Sequence, residues 1–235
     1  MPDWKFEHYA QSEFLRRLFT YLSIDCVFDV GANAGQFGMF LRNQVDYNGL
    51  IISFEPNPSC LSELRRKASL DGKWIVNAYA LGSDVGTAQF NLMAADQFSS
   101  FLEPSHRAPA RFTRATSITT TIEVQVRRLH DVVGEFFAKH DVAHPYLKLD
   151  TQGFDLEVAR GAGDALARFS ALQTEASATP IYERSPNFAE SIAFLSGAGF
   201  ELSAIFPNNP GHFPRMIEFD CHMINSRLVE GDRPA

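Results

Sequence analysis

The sequence predicts an α/β fold: a doubly wound sheet of mainly parallel strands, closed by an antiparallel hairpin at the C-terminus. Three observations carry this. Short apolar runs alternate with helical stretches along the chain, the order expected of parallel strands joined by crossover helices. The stretch CVFDVGANAGQFGMFL, residues 26–41, reads as strand, glycine turn and helix start. The last two apolar runs, 200–207 and 215–224, are joined by an Asn/Pro/Gly loop too short for a crossover, so they pair antiparallel.

Taken in order, Phe14, Leu15, Leu18, Phe19 and Leu22 mark one face of an amphipathic helix over 8–22, expected to pack across one edge of the domain. The first strand covers 25–30, and the helix after its glycine turn ends near 43. LIISF (50–54) is a fully buried strand ending at Glu55, and Pro56 and Pro58 stop it. Ser59 then caps a helix to Ser69. WIVNAYAL (74–81) is a third strand, and the alternation of TAQFNL (87–92) marks a strand paired with a neighbour.

Residues 93–120 have little periodicity and read as a long loop, the kind that serves as a lid. A strand at 121–129 and a helix at 132–140 follow, then PYLKLD (145–150), a strand ending in an acid. Phe154, Val158 and Ala162 space like a helix face, and FSALQTE (169–175) is another strand ending in an acid. A helix at 188–197 leads into the closing hairpin. The expectation is one domain, 1–235, with 1–24 as an N-terminal helical extension.

The bulk numbers set limits. At 235 residues the chain can bury a substantial core, and 45% hydrophobic with 21% charged residues is ordinary for a globular protein. A net charge of −7 argues against nucleic acid as a partner, because neutralising phosphates takes surplus Lys and Arg. Cys26, Cys60 and Cys221 have no CxxC spacing, and Cys26 and Cys221 read as buried free thiols. MPDWKFEHYA lacks the apolar run of a secretory signal, and no window approaches the roughly 20 apolar residues of a membrane span. The expected location is the cytoplasm, with no membrane partner. The apolar face of the first helix leaves a homo-oligomer open.

In doubly wound sheets, ligands bind beyond the carboxyl ends of the strands near the switch point. Four strand ends converge there: Asp29 to Gly35, Glu55, Asp150 and Glu175. Gly31 allows a sharp turn and a close ligand approach. Glu55, 20 residues beyond Gly35, suits a carboxylate accepting the hydroxyls of a ribose. Two cofactors fit the turn. Read as a dinucleotide fingerprint, it gives Asn33-x-Gly35-x-x-Gly38 with the first glycine lost, and the protein would be a nicotinamide-dependent oxidoreductase. Read from Asp29 as D-x-G-x-N-x-G, it matches the first motif of Rossmann-like class I S-adenosylmethionine methyltransferases, whose fold also includes the C-terminal antiparallel pair.

Beyond the turn, residues 25–224 resemble the FkbM family of methyltransferases. The likeness rests on FDVGANAGQFG, ISFEPNP, NAYALGSDVGTAQF, KLDTQGFDLEVARGA, LQTE and FLSGAGFEL, in family order and spacing. Where the family often has TLDD, this chain has Arg128-Leu129-His130-Asp131. The resemblance implies O-methyl transfer from S-adenosylmethionine to a hydroxyl of a sugar, glycan or natural-product acceptor. It implies that Asp29, Gly31, Asn33 and Gly35 cradle the methionine part, that Glu55 holds the ribose, and that Ala80 and Leu81 flank the adenine; Asn57 is a further cofactor-binding candidate.

Removing a proton from a poorly acidic hydroxyl calls for a base or a metal. Asp150, also placed at the cofactor, is the first candidate and Glu175 the second, and together they could chelate a hard cation such as magnesium. His106, His130 and His144 are alternative bases. Arg107, Arg111 and Arg114 in the long loop hint at an anionic acceptor. A binder that keeps the cofactor site without turnover is the remaining alternative.

Overall fold

The computed structural model describes residues 3–208 and 214–229. Helix α1 (Asp3–Tyr21) precedes β1 (Cys26–Val30), α2 (Gln36–Asn43), β2 (Leu50–Phe54), α3 (Pro58–Asp71) and β3 (Trp74–Asn77). Three strands of a different kind follow: β4 (Ala80–Gly82), β5 (Gly86–Met93) and β6 (Ile118–Arg128). The chain then alternates again through α4 (Leu129–His140), β7 (Pro145–Leu149), α5 (Asp155–Ala162), β8 (Ala171–Ser177), α6 (Phe188–Gly197) and β9 (Phe200–Pro207). It ends in β10 (Glu218–Asn225) and the short α7 (Ser226–Val229).

Among the described residues, seven strands form one sheet in the order β3-β2-β1-β7-β8-β10-β9. All its pairs are parallel except those of β10, which runs antiparallel to both neighbours. The predicted doubly wound sheet with its C-terminal hairpin is therefore the observed one. The order turns back between β1 and β7, so the switch point lies at their carboxyl ends. Every residue of β1 and β7 is buried, which is why these strands read as continuous apolar runs.

Both faces are covered. Phe28 centres one core, its ring 6.1 Å from Phe54 and 5.4 Å from Phe169, beneath α4 and α5. On the other face Leu15, Leu18, Phe19 and Leu22 of α1 share a core with Val27, Leu41, Ile51, Leu64 and Tyr146. Helix α1 thus lies over this face with α2 and α3 and reaches β9, the edge strand, through Phe14, 5.5 Å from Phe206. The three cysteines are buried and free. Among the described residues no helix is long and apolar enough to cross a membrane.

The expected strand 74–81 is two strands in two sheets. Asn77 ends β3, its carbonyl accepting from Glu55 N at 3.0 Å and its side chain donating to the Ser53 carbonyl at 3.2 Å. The chain then steps over to start β4, which pairs with β6 in a separate three-stranded sheet ordered β4-β6-β5. An apolar run shows burial but not which sheet buries it. Helix α3 begins at Pro58 with Asn57 as its cap, accepting from Ser59 N at 3.0 Å; Ser59 is inside the helix. Helix α4 starts at Leu129, earlier than expected.

Residues 94–117 are a packed loop with two short 3-10 turns, Asp96–Phe98 and Ala110–Phe112. Leu102 and Phe112 anchor it in a small cluster with Met93, Ile181, Tyr182 and Ile217. Of the loop expected between the last two strands, 209–213 lie outside the described residues.

Candidate active site

A cavity of about 360 Å³ opens at the carboxyl ends of β1, β2, β7 and β8, roofed by the second sheet and the 94–117 loop. Its first wall is the turn after β1. Gly31 has φ +76°, and a Cβ there would stand 1.9 Å from the Asp150 carbonyl oxygen, so the ends of β1 and β7 can meet only over a glycine. Gly31 N and Ala32 N both donate to the Phe54 carbonyl, at 3.0 and 3.1 Å, which ties in the end of β2. Asn33 is left-handed at φ +48°, and its Oδ1 accepts from Ala34 N at 2.7 Å.

Glu55 lies at the centre of this half. Its two oxygens accept from Asn33 N and Asn57 N, each at 2.7 Å, and each keeps acceptor capacity for a ligand hydroxyl. Burial pushes its carboxyl up to about 7, against the pull of these two N–H groups and of Lys148. The Asn57 side chain caps α3 and also donates to Asp96 Oδ1 at 3.2 Å, which fixes a second acid at the rim.

Lys148 stands between the two halves. It is 4% exposed, and Nζ lies 3.1 Å from Asp29 Oδ1, 3.3 Å from Asp150 Oδ2 and 3.1 Å from the Gly31 carbonyl it donates to. Sheet register puts Asp29 beside Lys148 on one side and Ser53 on the other, and Ser53 Oγ donates to Asp29 Oδ2 at 3.2 Å. Burial works against the ammonium, but Asp150 and Asp29 more than offset it and hold Lys148 above the usual lysine range.

The second half is built from side chains. Gln152, left-handed at φ +54°, donates from Nε2 to Asp150 Oδ1 at 3.0 Å and to Glu175 Oε2 at 2.8 Å. Asn208 Nδ2 donates to Glu175 Oε1 at 2.9 Å. The Tyr182 hydroxyl lies 2.8 Å from both Gln152 Oε1 and the Phe98 carbonyl. Behind them the buried Asp155 accepts from Thr151 N, Thr174 Oγ1 and Glu175 N at 2.6, 2.8 and 3.0 Å, fixing the ends of β7 and β8 together. Burial first, then the neighbouring acids Glu218 and Asp150, push Glu175 well above the usual carboxylate range; burial does the same to Glu218.

This cleft has one acceptor-lined and one acid-lined wall, at the switch point of the doubly wound sheet. The profile of the methyltransferase FkbM domain matches residues 29–202. The chain belongs to the FkbM methyltransferase family.

Among solved structures, methyltransferase FkbM from Methylobacillus flagellatus KT aligns with a TM-score of 0.54 at 15% identity, over 86% of this chain and 43% of that one. Magnesium protoporphyrin IX methyltransferase (ChlM) from Synechocystis PCC 6803, a structure with bound S-adenosylmethionine, aligns with a TM-score of 0.50 at 11% identity, over 95% and 82%. At such identities the likeness speaks for the fold, that of class I S-adenosylmethionine methyltransferases. The chain spans less than half the length of the FkbM structure it aligns with. A search of curated protein sequences finds no match.

Of the residues the sequence singled out in this FkbM domain, Gly31, Asn33, Glu55, Ala80, Leu81, Asp150 and Glu175 line the cavity. Asp29, Gly35 and Asn57 stand behind its wall: Asp29 is wholly buried against Lys148, Gly35 caps α2 and Asn57 caps α3. Gly38, the last glycine of the dinucleotide reading, faces Trp74, where a Cβ would come within 2.2 Å of the indole, and does not face the cavity. Exposed His106, His130 and His144 are not among the lining residues, nor are Arg107, Arg111 and Arg114.

Sequence reasoning missed Lys148, Gln152, Tyr182, Asn208 and Glu218. Lys148 does carry a signal in the sequence: a lysine inside an otherwise apolar buried strand requires a buried acid beside it. The others had no local signal.

The donor set does not suit magnesium. Each oxygen of Asp150 and Glu175 already faces an N–H donor: Gln152 Nε2 on one of each, Lys148 Nζ and Asn208 Nδ2 on the others. Among the described residues no group of three or more His, Cys, Asp or Glu is arranged to hold a metal ion.

Proposed function

We propose that this chain is an S-adenosylmethionine-dependent O-methyltransferase acting on a hydroxyl of a sugar, glycan or natural-product acceptor. The carrying observation is that one cavity unites a glycine-floored turn and the ribose-suited Glu55 with the acid pair Asp150 and Glu175. S-adenosylmethionine, when bound, supplies a methyl group on a positively charged sulfonium. Gly31 and Asn33 hold the methionine side, Glu55 accepts from the ribose hydroxyls, and Ala80 and Leu81 flank the adenine. Asp29 acts from behind by holding Lys148.

Positioning the acceptor oxygen supplies most of the rate in such a transfer. Asp150, ion-paired with Lys148, orients the acceptor. Glu175, held beside Asp150 by the shared Gln152 amide, takes its proton. Polar groups dense along this wall, among them Gln152, Asn208 and Glu218, favour an acceptor with several hydroxyls. The buried free thiols favour a cytoplasmic setting.

The test is incubation with labelled S-adenosylmethionine and a panel of sugars, nucleotide-sugars and polyhydroxylated scaffolds, beside calorimetry with S-adenosylhomocysteine. Binding with transfer to one class of hydroxyl is expected. Absence of any binding of either cofactor form sinks the reading, and binding without turnover on a broad panel turns it toward a non-catalytic binder.

A further inference from the structure

Two carboxylates on neighbouring strand ends would repel each other unless a positive or hydrogen-donating group lay between them. In this cavity the group between Asp150 and Glu175 is the Gln152 amide. One N–H reaches each acid, at 3.0 and 2.8 Å. We propose that Gln152 stands where a divalent cation would have to sit, clamping Asp150 and Glu175 so that the acid pair is held without a metal. This rests on the methyltransferase reading above and adds Gln152 to it as a positioning residue.

Three further observations fix the clamp. Its Oε1 lies 2.8 Å from the Tyr182 hydroxyl, so the amide is turned with its donors toward the acids. Its backbone carbonyl accepts from Ser100 Oγ at 2.8 Å, which ties it to the 94–117 loop. Its left-handed backbone, followed by Gly153 at φ +85°, holds a conformation that a non-glycine residue keeps only when its surroundings demand it. The two outer carboxylate oxygens are taken by Lys148 Nζ and Asn208 Nδ2. A hard dication needs oxygen ligands and would be repelled by the lysine. Donors cover all four oxygens; a cation would have to displace them.

Gln152→Glu is the informative substitution. It is nearly isosteric, and it replaces the donor amide with a third carboxylate between the first two. The probe is Mn²⁺ alone, titrated into the full chain and followed by its electron paramagnetic resonance signal, with Mg²⁺ calorimetry alongside. The wild-type protein is expected to show no stoichiometric Mn²⁺ binding. The Gln152→Glu protein is expected to bind at least about 100-fold more tightly, as three carboxylates make a hard-cation site. Adding Asp150→Asn to that variant is expected to abolish the gain.

Stoichiometric Mn²⁺ binding by the wild type that Asp150→Asn removes overturns the proposal. So does a folded Gln152→Glu protein that binds Mn²⁺ no better than wild type. Melting temperature reports whether the variant has folded; if it has not, the wild-type and Asp150→Asn titrations decide alone, with stoichiometric binding overturning the proposal and none supporting it. Failure of S-adenosylhomocysteine to bind removes the proposed function and leaves the metal titration readable, so the two failures are distinct.

Discussion

The two halves of the cavity are made differently. On the β1–β2 side the functional surface is mostly backbone, set by one glycine, one left-handed asparagine and a glutamate held by two main-chain N–H groups. On the β7–β8 side it is a side-chain network, in which Gln152, Asn208, Tyr182 and Lys148 hold two acids in place. A backbone site is rigid and serves one ligand in many proteins. A side-chain site can be rebuilt residue by residue, and under the proposed function it is the half that would set acceptor choice.

Lys148 joins the halves, and removing it is the strongest way to break the contrast. Lys148→Met would leave Asp29, wholly buried, without its counter-charge. Breaking a buried pair from one side costs about 3–5 kcal/mol, which denaturant unfolding would read. If the variant loses less than about 1 kcal/mol, Lys148 is not the tie between the two walls. Gly31→Ala comes next. The added methyl meets the Asp150 carbonyl, so the two strand ends must part; about 2–3 kcal/mol of stability is expected to go, with cofactor affinity. A variant that binds S-adenosylhomocysteine normally would show that the backbone wall is less rigid than drawn.

The same contrast explains what could be read from the chain. The fold was legible because β1, β2, β7 and β8 are short apolar runs separated by helical ones. The backbone half was legible because Gly31 and Asn33 lie in one motif, FDVGANAGQFG, and Glu55 and Asn57 in another, ISFEPNP. The other half is made by contacts between segments that share no motif: Tyr182 meets Phe98 across 84 residues, and Asn208 meets Glu175 across 33. No local pattern carries such pairs. Asp29 shows the opposite error. Its motif position points to the cofactor, yet its partners in the sheet, Ser53 and Lys148, make it the support of the wall, set back from the cavity.

Glu55 offers a smaller effect with a pH signature. Glu55→Gln keeps the shape and removes the charge, and S-adenosylhomocysteine affinity is expected to fall about 10- to 100-fold, the range for a hydrogen bond to a charged group. In the wild type, affinity should weaken as pH drops through about 7, as the carboxylate gains a proton and loses acceptor capacity. Stability moves the other way. The folded protein keeps on Glu55 a proton that the unfolded chain releases, so stability falls as pH rises from 4.5 to about 7. The expected size is on the order of 3 kcal/mol. Unfolding of wild type and Glu55→Gln between pH 4.5 and 8 isolates the Glu55 contribution, and parallel curves would remove it.

The least effect on the cofactor half is expected from Arg107, Arg111 and Arg114. They are exposed on the 94–117 loop and are not among the lining residues, so their triple Ala variant should bind S-adenosylhomocysteine within about twofold of wild type. The cavity lining carries Asp96, Asp150, Glu175 and Glu218 together with Lys148. On the reading that these arginines serve an anionic acceptor, its negative group stays near the loop while the reacting hydroxyl enters the cavity. A phosphate-bearing acceptor should then show a KM that rises with salt in the wild type and is higher, but flat with salt, in the triple variant; a neutral acceptor should not distinguish them. If both acceptors respond alike, the arginines serve the loop's own packing, and acceptor choice rests with the acid wall alone.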